Sequence, residues 1–250
     1  MPAPLAVQLY TVRDALAADF EGTLRRLAAM GFVGVEFAGV YGASPNDAVI
    51  LCRDLGLQIA SAHLPLPLDD KASQVVDTAT AMGIEIAVCP WLPPQRFTSV
   101  DDIKSVCDEL NAAEEVYRSR GMRLAYHNHD FEFRPMPDGS LPHDHMRAFC
   151  SPSILFEVDT YWVVFAGQDP VELLTDLGTH APLVHIKDGT GKAGDANVAV
   201  GDGVVDVTAV VAAAQAQWLI VEFDRSDSDI FAALEKSAQY MLTQGLAQGR

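Results

Sequence analysis

Residues 126–133 read YHNHDFEF: His127 and His129 two apart, then Glu132 three residues further on. Other apolar runs end in the same kinds of groups. ILFEVD carries Glu157 and Asp159, PLVHIKD carries His185 and Lys187, and WLIVEFD carries Glu222 with Asp224 at its end. Earlier runs contribute Gln8, Glu36 and His63, and Trp91 stands just past the run that ends at Cys89. In a strand, alternate residues share a face, so His127 with His129, Glu157 with Asp159 and His185 with Lys187 can point together. Alone, a strand histidine is most often a hydrogen-bonded core residue, and a strand-end carboxylate a helix cap. Collected at one place, imidazoles and carboxylates suit one divalent ion: Mn²⁺, Co²⁺, Mg²⁺ or Zn²⁺. The absence of thiolates among them argues against a structural zinc site.

The elements that must position these groups are legible from periodicity. Eight short β-rich runs (5–11, 32–38, 57–63, 84–90, 122–128, 154–159, 182–188 and 218–224) alternate with helical patterns such as DFEGTLRRLAAM, SPNDAVILCRDL and DPVELLTDLG. Ser44 before Pro45 reads as an N-cap followed by proline in the first turn. MGF, LGL, MGI and RGM place glycine where helices hand over to strands. Eight βα units in 250 residues, with no stretch left for a second domain, predict an α/β protein: one (β/α)8 TIM barrel over 1–250. A doubly wound open sheet would carry a glycine-rich phosphate loop after its first strand, and YTVRDAL is not one. Barrel active sites lie on the face at the strands' C-terminal ends, where the long stretch 129–145 is expected to form a functional loop.

Composition narrows the partners. Apolar residues make up 49% of the chain, enough for a large core, and the formal charge is −17. That charge excludes a nucleic-acid partner, whose phosphates require a basic surface. No apolar run is long enough for a membrane span, and MPAPLAVQLY lacks the basic start of a signal peptide. Cys52, Cys89, Cys107 and Cys150 show no paired spacing. They are expected to be reduced and buried in a cytoplasmic protein.

Taken in order, VQLYTVRD, GFVGVEFAG, SAHLPL, YHNHDFEF, FEVDTYWV, VHIKDG, VGDGVVD and WLIVEFD span nearly the whole chain. The chain resembles the xylose isomerase-like barrel superfamily, the sugar phosphate isomerases/epimerases. That group includes ketose 3-epimerases, hydroxypyruvate isomerases and inosose dehydratases. The resemblance implies one divalent metal held by Glu, Asp, His and Glu from strands five to eight. Asp159, His185 and Glu222 match the last three. Strand five ends in His127 rather than glutamate, so Glu132, reaching back from the loop, is favoured as the first ligand, with His127 as the alternative. The implied activity is a metal-dependent sugar isomerase or epimerase acting on a ketose, keto-sugar or inosose through an enediolate. Glu222 with His127 and His129 would be its acid/base groups. Glu36, His63, Lys187 and Trp91 would bind substrate. Histidine in place of the second glutamate also suits proton delivery to a departing hydroxyl, so a lyase or hydratase is the alternative, and a non-catalytic sugar-binding barrel a second one. With no Arg/Lys cluster to hold a phosphate, an unphosphorylated sugar or polyol is the expected substrate. The resemblance also implies a homo-oligomer, a dimer or tetramer.

Overall fold

The computed structural model describes residues 2–250. Its core is a closed, all-parallel eight-stranded barrel. The strands are β1 (Leu5–Gln8), β2 (Gly34–Phe37), β3 (Gln58–His63), β4 (Ile86–Cys89), β5 (Arg123–His127), β6 (Leu155–Asp159) and β7 (Leu183–Ile186), followed by the short β8 (Asp188–Gly189) and β9 (Asn197–Val198), then β10 (Trp218–Val221). The barrel order is β1-β10-β7-β6-β5-β4-β3-β2, and β8 and β9 form a separate antiparallel ribbon. Each of the eight predicted runs contains a barrel strand, and helices lie between them.

The helix signals act as expected. Asp19 caps Phe20–Ala29, and Ser44 caps Pro45–Asp54 by accepting from the Asp47 N–H at 3.1 Å. The four handover glycines, Gly31, Gly56, Gly83 and Gly121, all have positive φ, the conformation that ends a helix without a Cβ clash. The stretch 129–145 is more ordered than a loop. It holds a 3-10 turn at Phe131–Phe133 and the start of the helix Pro142–Phe149, whose apolar side packs His143 and Met146 inward.

Strand parity sorts the side chains. Odd–even alternation sends Leu5, Val35, Tyr126, Phe156 and Val184 outward to the helices. Ala6, Ile86, Val88, Ala125, Leu155, Leu183 and Ile220 fill the barrel interior as a separate apolar cluster, with Trp218 packed against it. Gly34 leaves room for the Trp218 ring, since a Cβ there would lie 2.5 Å from Cζ3. One strand breaks parity. The β2–β3 register slips between Val35 and Glu36, an extra residue in β3 at the position of Ala60. The bulge leaves Ala60 in the interior cluster and still turns Ser61 and His63 inward above it.

Candidate metal centre at the barrel mouth

Above the apolar plug, the next inward residue on nearly every strand is polar and buried: Gln8, Glu36, Ser61, His127, Glu157, Asp159, His185, Lys187 and Glu222. Register sets neighbours side by side, His127 opposite Glu157 and Asp159 opposite His185. Two overlapping tetrads result, each with its ligand atoms within 4.8 Å of one another: His127, Asp159, His185 and Glu222 nearer the mouth, and His63, His127, Glu157 and His185.

The second tetrad rests on a buried hydrogen-bond set. Glu36 accepts from the Gln8 amide (2.6 Å) and the Ser61 hydroxyl (2.6 Å) and lies 2.7 Å from His185 Nε2. Glu157 pairs with His63 Nε2 at 2.7 Å. Its Oε2 lies 3.0 Å from His127 Nδ1, out of line for a hydrogen bond. Burial and the neighbouring Glu157 push Glu36 above the usual carboxylate range. For Glu157 burial acts the same way, but His185 and His63 outweigh it and hold the carboxyl well below that range. Burial would discharge His63 and His185. The carboxylates around them prevail and raise both.

Nearer the mouth, His185 Nδ1 faces Glu222 Oε2 at 2.9 Å. Asp159 has two tasks: Oδ1 accepts from the Trp162 N–H and so caps the helix Thr160–Phe165, while Oδ2 faces the site. Its backbone is gripped by the Asn128 amide, which accepts from Asp159 N–H at 3.0 Å and donates to its carbonyl at 3.3 Å. Lys187, fully buried, contacts Asp159 Oδ2 (2.9 Å), Glu222 Oε2 (2.8 Å) and Asp224 Oδ2 (2.9 Å). Burial opposes the charges, but Lys187 is held well above its ordinary value by the three carboxylates, and Glu222 well below its own by Lys187 and His185.

Glu132 is not brought to this ring. Tyr126 points outward from β5, and the 3-10 turn folds Glu132 over it. Its oxygens are taken by the Tyr126 hydroxyl (2.5 Å) and the His129 N–H (2.9 Å). Burial pushes this carboxyl up to about 8. The expectation that Glu132 supplies the first ligand is not met by this geometry; the alternative, His127, stands in the tetrad. His129 sits beside the ring, 5.1 Å from His127 between ring centres, and burial pushes it down to about 2, so it is neutral. Trp91, half exposed, lines a mouth cavity of about 420 Å³ with Tyr10, His63, His127, His129 and Glu222. Trp162 is stacked beside His129 instead and is absent from that lining.

The donor set fits a divalent ion. Glu157 Oε1, Asp159 Oδ2, His127 Nδ1 and His129 Nδ1 are all buried at this one place without an aligned hydrogen-bond partner. Two of them have a charged neighbour, Lys187 Nζ at 2.9 Å from Asp159 Oδ2 and Glu157 Oε2 at 3.0 Å from His127 Nδ1. Glu157 Oε1 and His129 Nδ1 have none, and each such atom costs on the order of 1–3 kcal/mol unless something occupies it. The four cysteines are unpaired and buried, and burial raises Cys52 and Cys89 to about 12, away from nucleophilic use.

Residues beyond the eight barrel strands were missed by sequence reasoning. Asp188, turned outward from the barrel, accepts from the N–H groups of Gly189, Gly201, Gly203 and Val205, and so anchors the loop that follows. Asn197 in that loop accepts from the Asp224 N–H at 2.9 Å and so sets Asp224 against Lys187. The signal was the glycine-rich VGDGVVD. Its own acids serve as a cap and a surface group: Asp206 caps Val207–Ala213, and Asp202 pairs with Lys236 at 2.5 Å.

Comparison with known proteins agrees with this architecture. Inosose dehydratase of Geobacillus kaustophilus is 24% identical over 190 residues, covering 66% of this chain and 60% of that protein. That of Clostridium botulinum strain Alaska E43 is 26% identical over 197 residues, 68% and 63%. The matched region thus spans under two thirds of these relatives' length. A sugar phosphate isomerase/epimerase from Parabacteroides distasonis superposes with a TM-score of 0.85 at 26% identity, covering 99% of this chain and 96% of that one. The family profile for the xylose isomerase-like TIM barrel matches residues 24–244, and the chain belongs to that family.

Proposed function

We propose that the protein is a divalent-metal-dependent lyase that removes water from a keto-sugar or keto-polyol, with His127, Asp159, His185 and Glu222 holding the ion. The bound ion would act as a Lewis acid on the substrate carbonyl. The observation that carries the reading is the chemistry facing Glu222 across the mouth: imidazoles of His63, His127 and His129 line the cavity, and the carboxylate expected on that side, Glu132, is turned away. Epimerisation calls for a carboxylate on each face of the carbon. Elimination calls for one base and one acid able to protonate a hydroxyl.

Glu222, kept ionised by Lys187 and His185, accepts the proton from the carbon beside the carbonyl. His63, kept protonated by Glu36 and Glu157, gives its proton to the neighbouring hydroxyl. The C–O bond breaks, water leaves, and the pair left by the C–H bond becomes the new C=C bond. Neutral His129 donates or accepts a hydrogen bond to the sugar, and Trp91 offers an apolar wall. The cavity lining contains neither lysine nor arginine, which supports an unphosphorylated substrate. Similarity to inosose dehydratases supports the same outcome. Buried, unpaired cysteines support a cytoplasmic location.

Isomerisation or epimerisation is the second reading, favoured by the likeness to the Parabacteroides isomerase/epimerase over nearly the full chain. Incubating the Mn²⁺-loaded protein in D₂O with inososes, ketoses and 3-keto-glucosides separates them. Loss of water with an enone product is the expected result. Deuterium at the carbon beside the carbonyl, with no loss of water, indicates epimerisation, and no change with any substrate overturns both.

A further inference from the structure

Lys187 is an unusual occupant of a metal centre. Its side chain is fully buried, and its ammonium touches Asp159 Oδ2 and Glu222 Oε2, two of the four groups assigned to the ion. The Glu222 oxygen it touches is the same one that faces His185 Nδ1. Its remaining contacts are Asp224 Oδ2 at 2.9 Å, outside both tetrads, and the Trp162 ring, whose centre is 5.3 Å from Nζ. Asp224 is held in place by the Asn197 side chain. The ammonium therefore has two sets of partners: the ligand carboxylates on one side, and a carboxylate plus an aromatic face on the other.

Resting on the metal-centre reading above, we propose that Lys187 is a built-in counter-cation of this centre. It neutralises Asp159 and Glu222 and competes with the divalent ion for them. When the ion binds, the ammonium keeps only Asp224 and the Trp162 face. The physical ground is direct. A dication on Asp159 and Glu222 is a like charge beside a buried ammonium, and buried like charges are poorly screened. Lys187 should thus lower metal affinity while stabilising the metal-free fold. Asp224 should raise affinity by holding the ammonium off the ligands. A lysine that merely oriented the ligands would act in the opposite sense.

Mn²⁺ alone is the probe, its affinity measured by calorimetry or electron paramagnetic resonance alongside the melting temperature without metal. K187M is expected to melt lower without metal yet bind Mn²⁺ about 10-fold tighter or more, opposite in sign to the loss that follows when a group supporting metal ligands is removed. D224N is expected to bind about threefold weaker or less tightly still, and to have little effect in the K187M background, since contacting residues are non-additive. D224N alone decides the matter if K187M does not fold, and unchanged or tighter Mn²⁺ binding by D224N then overturns the role. Wild-type binding with equal or weaker binding by K187M, or equal effects of D224N in both backgrounds, overturns the role of Lys187 and leaves the metal centre standing. No Mn²⁺ binding by wild type or by K187M overturns the centre itself, and this role with it.

Discussion

At the residue scale, each inward polar group of the mouth is defined by a second contact that a lone residue type does not announce. Asp159 caps a helix with one oxygen and offers the other to the site. Asp159→Asn keeps the cap and removes the charge, so metal analysis of the purified variant should show a loss in Mn²⁺ affinity of about 100-fold, with a like fall in kcat/KM. Unchanged metal content would remove Asp159 from the ligands. Glu132 behaves differently. Burial raises its carboxyl to about 8, above its unfolded value, so the folded state holds a proton that the unfolded chain loses. Its contribution is complete below about pH 4.5 and declines as pH climbs toward 8. Glu132→Gln should therefore flatten the pH dependence of the unfolding free energy over that window, by on the order of 3–5 kcal/mol, and leave Mn²⁺ binding intact. A steeper pH dependence in the variant would contradict this. Parity shows in the sequence that Glu157 with Asp159 and His185 with Lys187 share a face, and the family resemblance singles out Asp159, His185 and Glu222 as candidate ligands. The place of Glu132 was not legible, because it lies past the strand in a turn whose direction follows from Tyr126 packing outward.

At the element scale, two irregularities aim the site. The β3 bulge keeps His63 facing inward above Ala60, where simple alternation would turn one of the two away. Four backbone N–H groups converge on Asp188 and shape the loop that carries Asn197. Gly203 is required there: a Cβ would sit 2.1 Å from Asp188 Oδ1 and 2.4 Å from the Gly189 carbonyl oxygen. Gly203→Ala should cost about 1–3 kcal/mol by chemical denaturation, because backbone as well as side chain must shift. It should also raise KM more than it lowers kcat, as Asn197 and Asp224 loosen. A neutral substitution would mean that the loop has room to adapt. In the sequence this segment shows only as the glycine-rich VGDGVVD. The convergence on Asp188 does not show there, because backbone donors from four separate positions are a property of the folded loop.

At the scale of the molecule, the barrel carries a polar ring on an apolar plug, and the plug must hold the ring's strands in register. Leu183, fully buried inside the barrel two residues before His185, belongs to that plug. Leu183→Ala should lower the unfolding free energy by about 2–5 kcal/mol in urea while the single transition persists. A smaller loss would show that neighbouring side chains collapse into the space. The formal charge of −17 acts on the same balance. Self-repulsion favours expansion, so moderate salt should raise the melting temperature as it screens surface carboxylates. A fall in melting temperature with salt would place the dominant electrostatics in attractive surface pairs instead.

The amino-acid sequence by itself determined the eight βα units, the glycine-terminated helices and the side of the barrel on which Asp159, His185 and Glu222 stand. Period two and period 3.6 are local properties, and a closed parallel barrel follows from their alternation. Only the tertiary structure decided that His127 stands among the clustered donors and Glu132 outside them, that His63 and Glu157 lie beside Asp159 and Glu222, and that Lys187 is shared among three carboxylates. Those facts depend on strand register, one bulge and the direction of a turn. Each is settled by which distant side chains pack together rather than by which residues are neighbours in the chain.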